Sequence, residues 1–324
     1  MNTQYEWLLN GPAWVQYRTR LDLLGQTADD LDVLEARRAV LADPRVRSLM
    51  TDVGNWPGDV LKRHNDAKHQ LHKLNFLLDL GINQHDEGMK DVVEKIMHNQ
   101  SPEGPFQVVG NIPTHFGGTG QDALQWMLCD APLVSEALIR LGYGDDLRVV
   151  RSISTLSALV RENGWPCAAS ISLGTKFKGP GRRDDPCPYA NLLMLQMLSH
   201  MQDAADPGII EHGLYCLLDQ WDRRKERKPY LFAMGTDFCK LKVPLIWFDI
   251  LHVLDVLSRY RQVQHDPRVH EMAAVVSAKA DTDGRYKAES VWRAWKDWDF
   301  GQKREPSAGI TFLVYRIFKQ LGMI

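Results

Sequence analysis

The chain has 324 residues, 44% of them hydrophobic, enough to bury a large core in one domain or two. Its 39 Lys and Arg stand against 41 Asp and Glu, and this near balance excludes the broad basic field that draws a protein to nucleic acid or an acidic membrane. The stretch MNTQYEWLLNGPAWVQYRTR lacks a secretory leader's pattern, no run approaches the roughly 18 apolar residues of a spanning helix, and no GxxxxGK[ST] or GxGxxG loop occurs, so neither a transmembrane segment nor a nucleotide cofactor is expected.

In chain order, apolar segments predicted as helices lie at 13–25, 66–81, 122–142, 188–203, 245–262 and 308–322. Amphipathic segments run between them, each opened by an acid: DDLDVLEAR at Asp30, DEGMKDVVEKI at Asp86, DDLRVVRSI at Asp146, DPGIIEHGL at Asp206 and DPRVHEMAA at Asp266. A carboxylate in the first turn complements the positive end of a helix. The last four acids are 60 residues apart, and Asp30 lies 56 before Asp86. Gly104, Gly164 and Gly284 each follow their acid by 18 residues, with an aromatic residue close behind. Leu24-Gly25, Leu80-Gly81, Leu141-Gly142 and Leu321-Gly322 look like left-handed helix ends.

A helix pair repeated about every sixty residues predicts an all-α fold. Apolar helices alternating with amphipathic ones imply an inner and an outer ring, closing as an (α/α)6 barrel, or toroid, in a single domain over residues 1–324. Strand signals are almost absent. The long connections, about 100–121, 164–187, 225–244 and 281–307, all precede inner helices, and loops of that length commonly carry function.

Counting back 17 from each acid reaches His69, Cys129, Tyr189 and Asp249, four chemically capable side chains in otherwise apolar segments. Asp249 and His252 share one helical face at i, i+3, and Asp66 and His69 repeat that spacing. His64, His115 and Asp130 are neighbouring acid–base candidates. Each could instead be a buried polar residue satisfied by its surroundings, and Cys129 alone reads as a small core residue. Five cysteines, an odd number in a long chain, fit reduced thiols and a cytoplasmic location. Trp126, Trp165, Trp247, Trp292 and Trp295 either pack an ordinary core or line an apolar cavity. The three Trp of VWRAWKDWDF, Trp292, Trp295 and Trp298, have a helix-like spacing.

HNQSPEGPF, with Gln100, Gly104 and Phe106, is similar to the Q-x3-G-x-W/F repeat of the terpenoid cyclase and protein prenyltransferase β-subunit superfamily; ENGWPC keeps only its Gly-aromatic part. The chain resembles a bacterial branch of that superfamily, which implies an (α/α)6 toroid. The prenyltransferase pattern of Asp-x-Cys followed by a later His falls on Asp185, Cys187 and His252, and the resemblance implies that these hold Zn²⁺. Lys176, Lys178, Arg182 and Arg183 stand where the family binds a lipid diphosphate. No D-x-D-D acid of the proton-initiated cyclases is present.

Two enzyme readings follow, both with a small hydrophobic substrate as partner. One is an isoprenoid-directed enzyme with the zinc set and basic loop, its hydrocarbon against Trp165, Trp247 and Trp292. The other is a metal-free isomerase, dehydratase or cyclase using His69, Cys129, Tyr189 and Asp249, in the manner of α/α-barrel isomerase-dehydratases. A glycosidase-like pair among Asp66, Asp130 and Asp249 has less to support it. A binding or scaffold toroid is the non-enzyme reading, and it gives a cysteine, a histidine and several acids in one layer no task.

Overall fold

The computed structural model describes residues 3–171, 177, 179, 181–201, 205–226, 230 and 232–324. The protein is mostly helical, with 51% helix and, among the described residues, one small two-stranded sheet. The elements run α1 (Thr3–Leu9), α2 (Ala13–Arg18), α3 (Leu31–Ala42), α4 (Pro44–Val53), α5 (Gln70–Leu80), α6 (Met89–His98), β1 (Val108–Gly110), β2 (Ala123–Gln125), α7 (Ala131–Leu138), α8 (Leu147–Ser157), α9 (Pro188–Leu198), α10 (Pro207–Asp222), α11 (Ile250–Leu257), α12 (Pro267–Ser277) and α13 (Ala308–Gln320). Helices α2 and α7 continue into π-helical turns at Thr19–Leu23 and Ile139–Tyr143.

The acidic signals act as helix caps. Asp146, Asp206 and Asp266 precede α8, α10 and α12, and each carboxylate accepts the N–H two residues on. Asp30 precedes α3 but bonds back to Thr27. Asp86 differs: Gly88 begins α6, and the Asp86 carboxylate accepts the Asn83 N–H at 2.8 Å. The four Leu-Gly ends all have left-handed glycines, from 67° at Gly322 to 102° at Gly81.

Four stretches expected to be helical are not α-helix. Residues 122–130 leave the predicted helix because β2 pairs antiparallel with β1, Val108 opposite Gln125, and the chain then bonds sideways from Leu128 N–H to Ala168 C=O. Helix α7 starts only after Asp130, with Pro132 in its first turn. Residues 66–69 form turns ahead of α5, and 245–249 run irregularly after Pro244 until extended Asp249 caps α11. The tryptophan-rich segment forms two short 3-10 turns, Arg293–Trp295 and Asp299–Gly301, rather than one helix.

The chain forms two compact units. The first comprises residues 1–49, 79–82 and 234–324. In it α13 packs against α1, α2 and α11, while α2 packs on α3 and α11 on α12. Its core holds Trp14 edge-on to Phe300 and Phe312, with Trp298 stacked on Phe300 at 5.7 Å. The second comprises residues 50–78 and 83–233. There α9 is the central element, packed against both α7 and α10, and every one of its residues is buried. An all-buried helix has no polar face to give to water, which is why PYANLLMLQML reads as nearly continuous apolar sequence.

Candidate functional site

In the second unit, three loop segments distant in sequence are tied together by main-chain bonds. Met127 bridges Ala169 and Pro166 bridges Pro186, both antiparallel. Ser170 N–H donates to Trp126 C=O at 2.9 Å, and Cys187 N–H donates to Trp165 C=O at 2.8 Å. These contacts bring the segments that carry Cys129, Cys167 and Cys187 together, close enough for the three thiols to affect one another's ionisation. Five free cysteines are present, and these three make up the group.

Asp130 sits at the N-cap of α7, yet its carboxylate does not cap. It accepts from His64 Nδ1 at 2.8 Å. The His64 main chain is fixed in turn by His72, whose Nε2–H donates to the His64 carbonyl at 2.8 Å. Burial opposes charge on His64, but the Asp130 carboxylate and the nearby Cys167 and Cys187 sulfurs more than offset it and push the imidazole up to about 9. Burial holds His72 neutral, down at about 4. His64 is therefore imidazolium and His72 is its neutral support.

The sulfurs divide the same way. Cys129 is held well above the ordinary thiol range because its S–H is engaged with Cys167 and Cys187 and is buried. Cys187 is held below that range: Cys129 donates to it, and, against burial, the Ala190 and Tyr189 N–H dipoles at the start of α9 and the His64 charge all favour the thiolate. A thiol held below its ordinary range, with the charge of a carboxylate-bound imidazole in its surroundings, has the logic of an activated cysteine nucleophile.

Two polar residues that sequence reasoning missed build the frame. Asn191, fully buried and one turn after Cys187, accepts the Trp165 N–H at 2.9 Å and donates to the Trp165 and Cys187 carbonyls. Gly164 makes room for it: its φ is 103°, and a Cβ there would lie 2.3 Å from Asn191 Oδ1. Glu103 accepts from Trp126 Nε1, Ser170 Oγ and the Ile171 N–H, anchoring the segment that carries Cys167. The polar interruption of the apolar PYANLLML was the readable signal for Asn191.

His69 donates Nε2–H to the Asp59 carbonyl and accepts the Leu71 N–H on Nδ1, and burial lowers its pKa. Asp66 accepts the Lys68 N–H within the same turn. Tyr189 is buried in α9, and Trp165 fills the core with its indole N–H on the Leu156 carbonyl. His115 is exposed and stacks on Phe116. Arg182 and Arg183 are exposed and Asp185 is partly so, while Lys176 and Lys178 lie outside the described residues.

The first unit holds the remaining expected residues. Asp249 Oδ1 accepts the His252 N–H at 3.1 Å, and its buried Oδ2 has no hydrogen-bond partner. Burial pushes this carboxyl up to about 7, against the pull of Lys242. Lys242 Nζ lies 3.1 Å from the ring centroid of Trp292, whose indole donates to the Pro244 carbonyl. His252 is buried and donates Nδ1–H to the Trp247 carbonyl. Trp295 is buried against Trp298.

The zinc set implied by resemblance thus takes Asp185 and Cys187 from one unit and His252 from the other. Among the described residues, no group of three or more His, Cys, Asp or Glu is arranged to hold a metal ion. No protein-family model matches the chain, and no curated protein matches it.

Proposed function

We propose that this protein is an enzyme of thiol and imidazole acid–base chemistry acting on a small hydrophobic, isoprenoid-like substrate. The observation that carries the reading is the 2.8 Å His64–Asp130 pair set beside the Cys129–Cys187 thiols. Helix caps at Asp146, Asp206 and Asp266, sixty residues apart, support the further proposal of an (α/α)6 toroid of the terpenoid cyclase and prenyltransferase superfamily.

In this reading Asp130 orients His64 and stabilises its charge, as the acid of a triad does. His64 gives a proton to a leaving hydroxyl, and the Cys187 thiolate takes one from the adjacent carbon, so an allylic alcohol loses water to an alkene. Proton return from Cys187 to His64 restores the resting pair. Such acid–base assistance is worth roughly 10²–10⁴-fold in rate. Cys129 keeps the thiolate in place through its S–H.

The test pairs reactivity with turnover. Alkylation of Cys187 by iodoacetamide, followed by peptide mass spectrometry, should show a pH midpoint below the ordinary thiol value of about 8.5 and should lose that advantage in His64→Ala. Dehydration or isomerisation of monoterpene-sized allylic alcohols, followed by gas chromatography, should vanish in Cys187→Ala and His64→Ala. An alkylation midpoint at or above about 8.5 would remove the activated thiol. About one zinc per chain by ICP-MS, lost in Cys187→Ala, would move the assignment to the metal-dependent prenyltransferase reading.

A further inference from the structure

The first unit holds an amine that the cysteine chemistry of the second does not use. Lys240 is ion-paired with Asp237, and Lys279 with Glu289 at 2.7 Å. Lys242 has no carboxylate partner among the described residues. Its half-buried Nζ lies 3.1 Å from the ring centroid of Trp292 instead. We infer that Lys242 is a nucleophile that forms a Schiff base with a small planar aldehyde lying against Trp292.

Two sets of bonds hold the amine and the ring in place. Trp292 donates its indole N–H to the Pro244 carbonyl at 3.1 Å. Leu241, next to the lysine, donates its N–H to Glu289 Oε2 at 2.9 Å, and its carbonyl accepts the Glu289 and Ser290 N–H groups at 3.0 and 3.3 Å. Residues 241–244 and 289–292 are thus laced together, which fixes the reacting nitrogen over an aromatic face. A conjugated ring can stack on that face beside the amine, so a planar carbonyl compound suits the place better than an aliphatic one. Burial strips water from the ammonium and is the largest influence lowering its pKa; Lys240 and Lys303 add to it, while Asp249 and Asp237 oppose it. The ring face favours the ammonium and works with the two acids. A desolvated amine beside other cations is how a lysine becomes nucleophilic near neutral pH.

The chemistry balances without an oxidant. The Nζ lone pair adds to the carbonyl carbon, the C=O π pair moves to oxygen, and a proton passes from nitrogen to that oxygen through solvent. The carbinolamine then loses its hydroxyl together with the second nitrogen proton, as water, and the C=N bond forms. One neutral amine and one aldehyde become one imine and one water.

The experiment treats the full chain with benzaldehyde and sodium cyanoborohydride near neutral pH, which reduces each imine to a benzylamine, and maps the modified lysines by peptide mass spectrometry. Lys242 should be the principal site, and Lys242→Arg should lose that product. Acetic anhydride labelling over a pH series should give Lys242 a midpoint below the ordinary lysine value of about 10.4. Lys303→Gln, a substitution at an exposed position, should raise that midpoint. Benzylation spread evenly over the exposed lysines, or a Lys242 midpoint at or above about 10.4, overturns the inference. Both are read on the wild-type protein, so a variant that fails to fold does not hide the answer. Alkylation of Cys187 tests the acid–base reading separately, because it reads a thiol of the other unit and not this amine.

Discussion

Replacing Asp130 with Asn leaves an oxygen on His64 Nδ1 and deletes the charge. In the native protein the carboxylate lifts His64 from 6.5 to about 9 despite burial. At about 1.4 kcal/mol per pKa unit, the folded state favours the imidazolium by roughly 3 kcal/mol. Because the folded pKa is raised, this stabilisation is fully present below about pH 6.5 and is lost as pH rises through about 9. In Asp130→Asn burial is opposed only by the Cys167 and Cys187 sulfurs, and His64 titrates well below its wild-type value. Urea unfolding of both proteins under reducing conditions should therefore show the wild type ahead at about pH 6, with the gap narrowing by roughly 3 kcal/mol by about pH 10. NMR of the His64 ring gives the same answer directly. A stability gap that does not change with pH, or a His64 that titrates alike in both proteins, would refute the charge coupling on which the site depends.

Asp249→Asn should shift the balance in the same direction with pH, here through a buried acid. Its folded pKa is raised from 3.8 to about 7, so wild-type stability is lost as pH rises across that range, and the variant should gain on the wild type by roughly 4 kcal/mol between about pH 4 and pH 8 in urea unfolding. Asn191→Ala orphans the buried Trp165 N–H and should cost on the order of 1–3 kcal/mol by the same assay, while raising the alkylation midpoint of Cys187. Asp255 is buried between Arg259 and Arg316, with Arg316 Nη2 at 2.6 Å, and these charges hold it far below the usual carboxylate range despite burial. Asp255→Asn removes the buried charge bonded to both guanidiniums and should cost about 3–5 kcal/mol in thermal or urea unfolding.

The sequence shows the periodic parts of this protein and hides the bridged ones. Caps at Asp146, Asp206 and Asp266 and the glycine ends at Gly25, Gly81, Gly142 and Gly322 are local chemistry, and each leaves a mark at its own position. Residues 122–130 have a helix's apolar pattern, but their main-chain partners lie at 108–110 and 168–169, and no local rule reports a partner so far along the chain. His64, Cys129, Asp130 and Cys187 were each legible as candidates. Their union was not, because it depends on the bridges Met127–Ala169 and Pro166–Pro186 between irregular segments. Repeat counting instead aligned Cys129 with His69 and Asp249, which serve as turn and cap residues at their own helix starts.

The first unit draws its helices from residues 1–49 and 234–324, and α13 packs against both α1 and α2. On the ribosome the consequence is a long wait. Trp14 emerges early, but its partners Phe300 and Phe312 are translated nearly three hundred residues later, at roughly 5–20 residues per second. Through that interval α1 to α3 expose apolar faces, the state that chaperones recognise, whereas every residue of the second unit has been made by Ala233. The cysteine site can thus be assembled on a nascent chain whose opening helices are still without their closing partner.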